Sequence, residues 1–321
     1  MSQLSDIIEL IRTTNEVCFI TAPERVRAVF ILVDDLVELS LKTYLYHYTK
    51  NQRELCKKDL EANGLVQNDA HKTVLENYFN GRTDINNLAQ RLGQNGAPAL
   101  ASLQTRLNAF GDLQHWSINK PETRKDFDDV VNEVKRLQPT NIPLTDLLDK
   151  AFQRHSLRNK LYHDHHSTGW SIKDEKCLEA MCELFDLLNM LFPDFLVEVK
   201  RKPTVSCQIG VLRLKFAAHQ GRNEVAQPYL DALSAIKKDH RYDVEPRSVE
   251  HSLVHTVSDR FFRALREEFT NKIAELQSRV NRIGQMKVVK AEQRAEQADK
   301  QRLMGILQQQ LNDINTLLGI P

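Results

Sequence analysis

PERVRAVFILVDDLVELSLKTYLYHYTK, residues 23–50, decides the fold class. Val26, Val29, Phe30, Val33, Leu36, Val37, Leu41 and Leu45 recur at intervals of three and four. That period gathers side chains on one face of an α-helix. Pro23 suits a first helical position, and Thr21 stands just upstream as a cap. An isolated helix gains nothing from so long an apolar stripe, so the stripe predicts other helices packed against it.

The same spacing runs outward in both directions. Shorter helices are expected at about 52–62, 69–79, 83–92 and 98–110, separated by Gly64, Gly81, Gly93 and Gly96. A loop over 108–122 leads to a helix at about 123–137, ending before Pro139. The next helix opens after Pro143, near Thr145-Asp146, with Leu147, Leu148, Ala151 and Phe152 as its buried face. It continues through Arg154 to His166, and Ser167-Thr168-Gly169 ends it. A very apolar helix at about 173–192 stops at Pro193. Between Phe195 and Lys215 the signal is mixed. Val197, Val199, Val205, Ile209, Val211 and Leu212 suit short strands as well as a helix, and only here is a small sheet credible. Another helix is expected at about 224–238. With 11 Gly and 10 Pro in 321 residues, few strands or tight turns can be punctuated, and the chain reads as all-α.

The last 70 or so residues differ in character. Val257, Phe261, Leu265, Phe269, Ile273, Leu276, Val280 and Ile283 repeat at three and four with charges between them. The stripe thins to Val288, Ala291, Ala295 and Ala298, then strengthens at Leu303, Ile306, Leu307, Leu311, Ile314, Leu317 and Leu318. A long helix or a helical hairpin fits, and the weak middle argues against one unbroken coiled coil. Two regions follow: a helical domain over 1–195 and a C-terminal helical, coiled-coil-like region over 196–321.

Composition sets bounds on function. Hydrophobic residues at 41% and charged residues at 27% permit a sizeable core and exclude a wholly disordered chain. A net charge of +1 gives no global field toward nucleic acid or an anionic membrane, so RNA binding needs a local basic patch such as Arg154, Arg158 and Lys160. The five cysteines are odd in number and none form Cys-x-x-Cys, which points to neither a disulfide framework nor a structural zinc site. No secretory signal opens the chain, and no apolar run reaches the roughly 18 residues needed to span a bilayer. A cytoplasmic protein without a membrane partner is expected.

Arg158, Asn159 and His163 are the residues best suited to chemistry. A guanidinium grips phosphate oxygens through two parallel hydrogen bonds, and an imidazole exchanges a proton near neutrality. Together they can bind a phosphodiester, deprotonate a ribose 2′-hydroxyl and stabilise charge on phosphorus with no metal or cofactor. Five positions apart on a regular helix, Arg158 and His163 diverge by about 140° and are offset by about 7.5 Å. The helix must distort near His163, or two symmetry-related helices must each lend a residue.

Arg158-Asn159-Lys160-Leu161-Tyr162-His163 resembles the signature of the HEPN superfamily: an Arg, often followed by Asn, then His four to six residues on. The segment from Asp35 through Glu38 to Lys42 is similar to that family's early helix with its acidic residue and Lys. The resemblance covers roughly residues 20–195. It implies a helical bundle and a metal-independent ribonuclease with a composite site in a homodimer, in the class of toxins and anti-phage effectors. Arg158 would hold the scissile phosphate, Asn159 would orient the Arg or the RNA, and His163 would move the proton. Arg154, Lys160, Glu38 and His165 are the expected supporting residues. Products would carry a 2′,3′-cyclic phosphate and a 5′-hydroxyl. A Tyr often stands two residues after the motif His; here that position is His165, so regulation by modifying the Tyr has no target and a regulatory protein on the C-terminal helix is the other route.

Competing readings belong to other classes. The C-terminal helix suits a non-catalytic adaptor. His163-Asp164 suits a metal phosphohydrolase if His115 and Asp186 join it, although nothing in their spacing selects them. His251 and His255, four apart, lack the Glu of His-Glu-x-x-His and read as a solvated pair. Arg154 has Asp149 and Asp164 as alternative partners to RNA.

Overall fold

A computed structural model describes residues 3–18, 25–111, 113, 126–163, 174–219, 249–286 and 288–320. Among the described residues the chain is all-α, with no strand. In order the helices are α1 (Gln3–Cys18), α2 (Arg25–Ala62), α3 (Asp69–Phe79), α4 (Ile85–Arg91), α5 (Ala97–Asn108) and α6 (Phe127–Leu137). They continue as α7 (Ile142–His163), α8 (Asp174–Leu191), α9 (Phe195–Lys200), α10 (Pro203–His219), α11 (Val249–Gly284) and α12 (Ala291–Leu318). None is long and apolar enough to cross a membrane. The chain divides into two compact units: Met1–Val37 with Arg154–Pro321, and Glu38–Gln153.

In the first unit α10 is the hub, packing on α1, α8, α9, α11 and α12. Val205, Ile209, Val211 and Leu212 are all buried. A helix covered on most sides shows no amphipathic stripe, which is why periodicity left this stretch open between strand and helix. Burial against helices overrides the strand preference of its β-branched residues. Pro203 at the first helical position has no N–H to lose there. Helices on either side of residue 195 pack together, α8 against both α9 and α10.

Helices α11 and α12 form an antiparallel hairpin, so of the two C-terminal architectures expected the hairpin is the one present. Phe262, Leu265, Phe269 and Leu276 of α11 bury against Leu307 and Ile314 of α12 and Val211 of α10. The thinning of the stripe after Lys287 marks where the chain turns back. Arg266 Nε donates to Asn315 Oδ1 at 2.8 Å across the hairpin.

In the second unit the end of α2 packs with α3, α4 and α5 through Cys56, Leu60, Leu75, Phe79, Leu88, Leu103 and Leu107. Arg53 ties the layer, donating to the carbonyls of Phe79 and Leu113 at 2.7 Å each. Helix α3 starts at Asn68, whose Oδ1 accepts the His71 N–H at 2.9 Å. Losing such a cap typically costs about 1 kcal/mol. Asn68→Ala should lower the urea midpoint by a corresponding amount without changing the slope; an unchanged midpoint would count against the cap.

Several expectations are corrected. Helix α1, with Ile7, Ile8 and Ile11 buried, has no counterpart in the sequence reading. The break expected between residues 50 and 52 is absent, because Lys50-Asn51-Gln52 holds no Gly or Pro and α2 runs on to Ala62. On α7 the buried face is Leu144, Leu148 and Ala151, while Phe152 is exposed. The helix expected at 224–238, most of the 108–122 loop and Ser167-Thr168-Gly169 lie outside the described residues.

Candidate active site

Three helices of the first unit bring charged side chains together. On α7, Arg154, His155 and Arg158 fall at spacings of one and four, which places them on one side of the helix. Asp34 and Asp35 come from α2. Asp34 stands four residues after Phe30 and three before Val37, within the apolar stripe, and its side chain is 2% exposed. Glu183 comes from α8 and is likewise buried, between Ala180 and Leu187.

Asp34 serves two partners. Its Oδ2 lies 2.8 Å from His155 Nδ1 and 3.6 Å from Arg158 Nε. Asp35 accepts from Arg158 Nη2 at 2.7 Å, and Arg158 Nη1 donates to Asn159 Oδ1 at 3.2 Å. The guanidinium is thus held in orientation by two carboxylates and an amide. It remains 21% exposed, and Asp35 beside it is 50% exposed, whereas Asp34 is closed off. Of the two carboxylates, Asp35 is the one open to solvent.

Burial pushes the Asp34 carboxyl above its ordinary 3.8, and the facing His155 and Arg158 only partly oppose this. A carboxylate with a raised folded pKa favours folding most when protonated. Its contribution is complete below the ordinary value and is lost as pH rises through the raised one. Asp34→Asn keeps a neutral group at every pH. Wild type should therefore lose stability relative to Asp34→Asn as pH rises through that window. Urea unfolding of both proteins across acid to neutral pH checks the sign, and a wild type that gains stability relative to Asp34→Asn with rising pH would refute it.

Behind this cluster Arg154 donates through Nη1 to Glu183 Oε2, with side chains 13% and 9% exposed. Burial lowers the Arg154 pKa, and Glu183 opposes the shift most strongly. Two side chains taken this far from water depend on each other as partners. Arg154 thus has a partner that the sequence reading did not name. Of the partners it did name, Asp149 is engaged by Lys135 and Asp164 lies outside the described residues.

The expected site residues divide as follows. Arg158 and Asn159 are brought together. Lys160 is exposed. Glu38 pairs with Lys42 one turn along α2, and the carboxylates on Arg158 are Asp34 and Asp35 instead. His163 is the last residue of α7; its side chain, and all of His165, lie outside the described residues. Asp186, considered as a metal ligand, is paired with Arg213, and His115 lies outside the described residues. Asp34, His155 and Glu183 escaped the sequence reading although a signal was present. Each is a titratable residue at an apolar-stripe position, where burial demands a partner. No family model matches the chain, and no curated protein or solved structure matches it.

Proposed function

We propose that the chain is a metal-independent RNA endonuclease of the HEPN type, with a composite site in a homodimer centred on Arg158, Asn159 and His163. The observation that carries this reading is the state of Arg158: oriented by Asp34, Asp35 and Asn159, yet reaching the surface beside a carboxylate that a phosphate can replace.

In this reading Arg158 takes two oxygens of the scissile phosphate. The ribose 2′-hydroxyl attacks phosphorus, His163 accepts its proton, and the 5′-oxygen leaves with a proton from a second acid. The divergence of about 140° between Arg158 and His163 on a regular helix makes a second copy the natural source of the complementary residue. The products are a 2′,3′-cyclic phosphate and a 5′-hydroxyl. A cytoplasmic toxin or anti-phage role, restrained by a regulatory protein, fits a nuclease of this kind.

Purified protein incubated with total RNA in EDTA tests the reading. Cleavage should persist in EDTA and should fail on RNA carrying 2′-O-methyl groups, since the nucleophile is then blocked. Cleavage abolished by EDTA, or indifferent to 2′-O-methylation, would overturn it.

A further inference from the structure

The turn of the α11–α12 hairpin carries a charge and surface that the proposed nuclease does not use. From Arg279 to Glu296 the sequence holds five cations, Arg279, Arg282, Lys287, Lys290 and Arg294, against two acids, Glu292 and Glu296. Glu296 is taken by Arg279 at 3.0 Å and by Lys300 at 3.5 Å. Arg282, Lys290 and Arg294 are exposed and form no ion pair among the described residues. In a chain of net charge +1 this is a local excess. Between these cations, where the chain reverses, Met286 is 37% exposed and Val288 is 81% exposed.

Cations flanking exposed aliphatic side chains match one kind of surface. An anionic bilayer offers phosphate and carboxylate headgroups to the cations and an acyl boundary to the aliphatic pair. Single-stranded RNA would use the cations alone, because its bases are held by aromatic side chains, and none occurs between Arg279 and Glu296. The near-zero net charge and the lack of a spanning helix bear on global attraction and on crossing; neither bears on a small local contact.

We propose that the tip of the α11–α12 hairpin docks peripherally on an anionic bilayer, Met286 and Val288 entering the headgroup layer while Arg282, Lys290 and Arg294 engage the headgroups. This contact is independent of the nuclease reading, whose residues lie on α2, α7 and α8.

Flotation of the full-length chain with phosphatidylcholine vesicles, with and without phosphatidylserine, tests the proposal. The chain should float only with the anionic vesicles and should be released by high salt. Val288→Asp, which sets an anion against the headgroups, and separately Lys290→Glu with Arg294→Glu, should each weaken binding at least about tenfold; each surface cation contributes a factor of about five, and the double reversal removes two of them. All these positions are exposed, and unchanged circular dichroism would show that the variants fold. No flotation, equal flotation with neutral vesicles, or variants that float like wild type would overturn the proposal. So would RNA binding that is lost on charge reversal and kept in Val288→Asp, with no vesicle binding; that result would make the tip a nucleic-acid surface. RNA cleavage by wild type is scored separately, so its presence or absence leaves the vesicle result readable.

Discussion

If the chain is the proposed nuclease, Arg158→Ala should lower RNA cleavage by roughly a hundredfold to ten-thousandfold, the range seen when one charge-stabilising or proton-transfer group is removed. His163→Ala should do the same. Both variants keep wild-type helicity. Arg158 is partly exposed, and removing it leaves Asp34 its contact with His155, so no buried charge is stranded. Arg158→Lys should not restore activity. A lysine presents a point charge where the site has a planar fork held at Nη1 and Nη2 by Asn159 and Asp35, with Nε 3.6 Å from Asp34. Asp35→Asn should lose far less, because an exposed ion pair contributes little. Initial rates on one RNA for the four variants check the order. Full activity in either Arg158→Ala or His163→Ala would contradict the assignment.

Glu183→Ala is the second large effect, and it acts on stability. Arg154 loses the carboxylate that compensates its burial, and an uncompensated buried charge costs about 3–5 kcal/mol. A domain holds only about 5–15 kcal/mol in total, so this variant should melt far below wild type. Replacing both partners by apolar residues, Arg154→Met with Glu183→Leu, removes the stranded charge and should recover most of the loss. Denaturant midpoints of the single and double variants decide the matter. A single variant within about 1 kcal/mol of wild type would mean that the pair contributes as little as a surface bridge.

The helical class was legible because α2 writes its period openly: Val29, Phe30, Val33, Val37, Leu41 and Leu45 are all buried. The hairpin was legible as one of two possibilities, from the thinning of the apolar stripe between its arms. Helix α10 was not, since a helix buried on most sides carries no contrast between faces. Helix α1 was missed because Thr14 and Asn15 are buried along with Ile7, Ile8 and Ile11, so polar and apolar residues share its inner face.

In the candidate site the sequence named Arg158 and Asn159, with Glu38 as a supporting residue that could buttress Arg158 or equally form a salt bridge elsewhere; Glu38 pairs with Lys42. The structure puts Asp34 and Asp35 beside Arg158, one turn earlier on α2. Asp34 and His155 stand 121 residues apart, and a single sequence carries no signal for a pairing at that range. What it does carry is the anomaly of Asp34 in an apolar stripe, which says that a partner exists without saying which one.

The decisive measurement is product-end mapping after wild-type and His163→Ala protein are incubated in EDTA with the same RNA. Wild type alone should cut, leaving 2′,3′-cyclic phosphate and 5′-hydroxyl ends. Ends bearing 5′-phosphate and 3′-hydroxyl, or equal cutting by His163→Ala, would contradict the account.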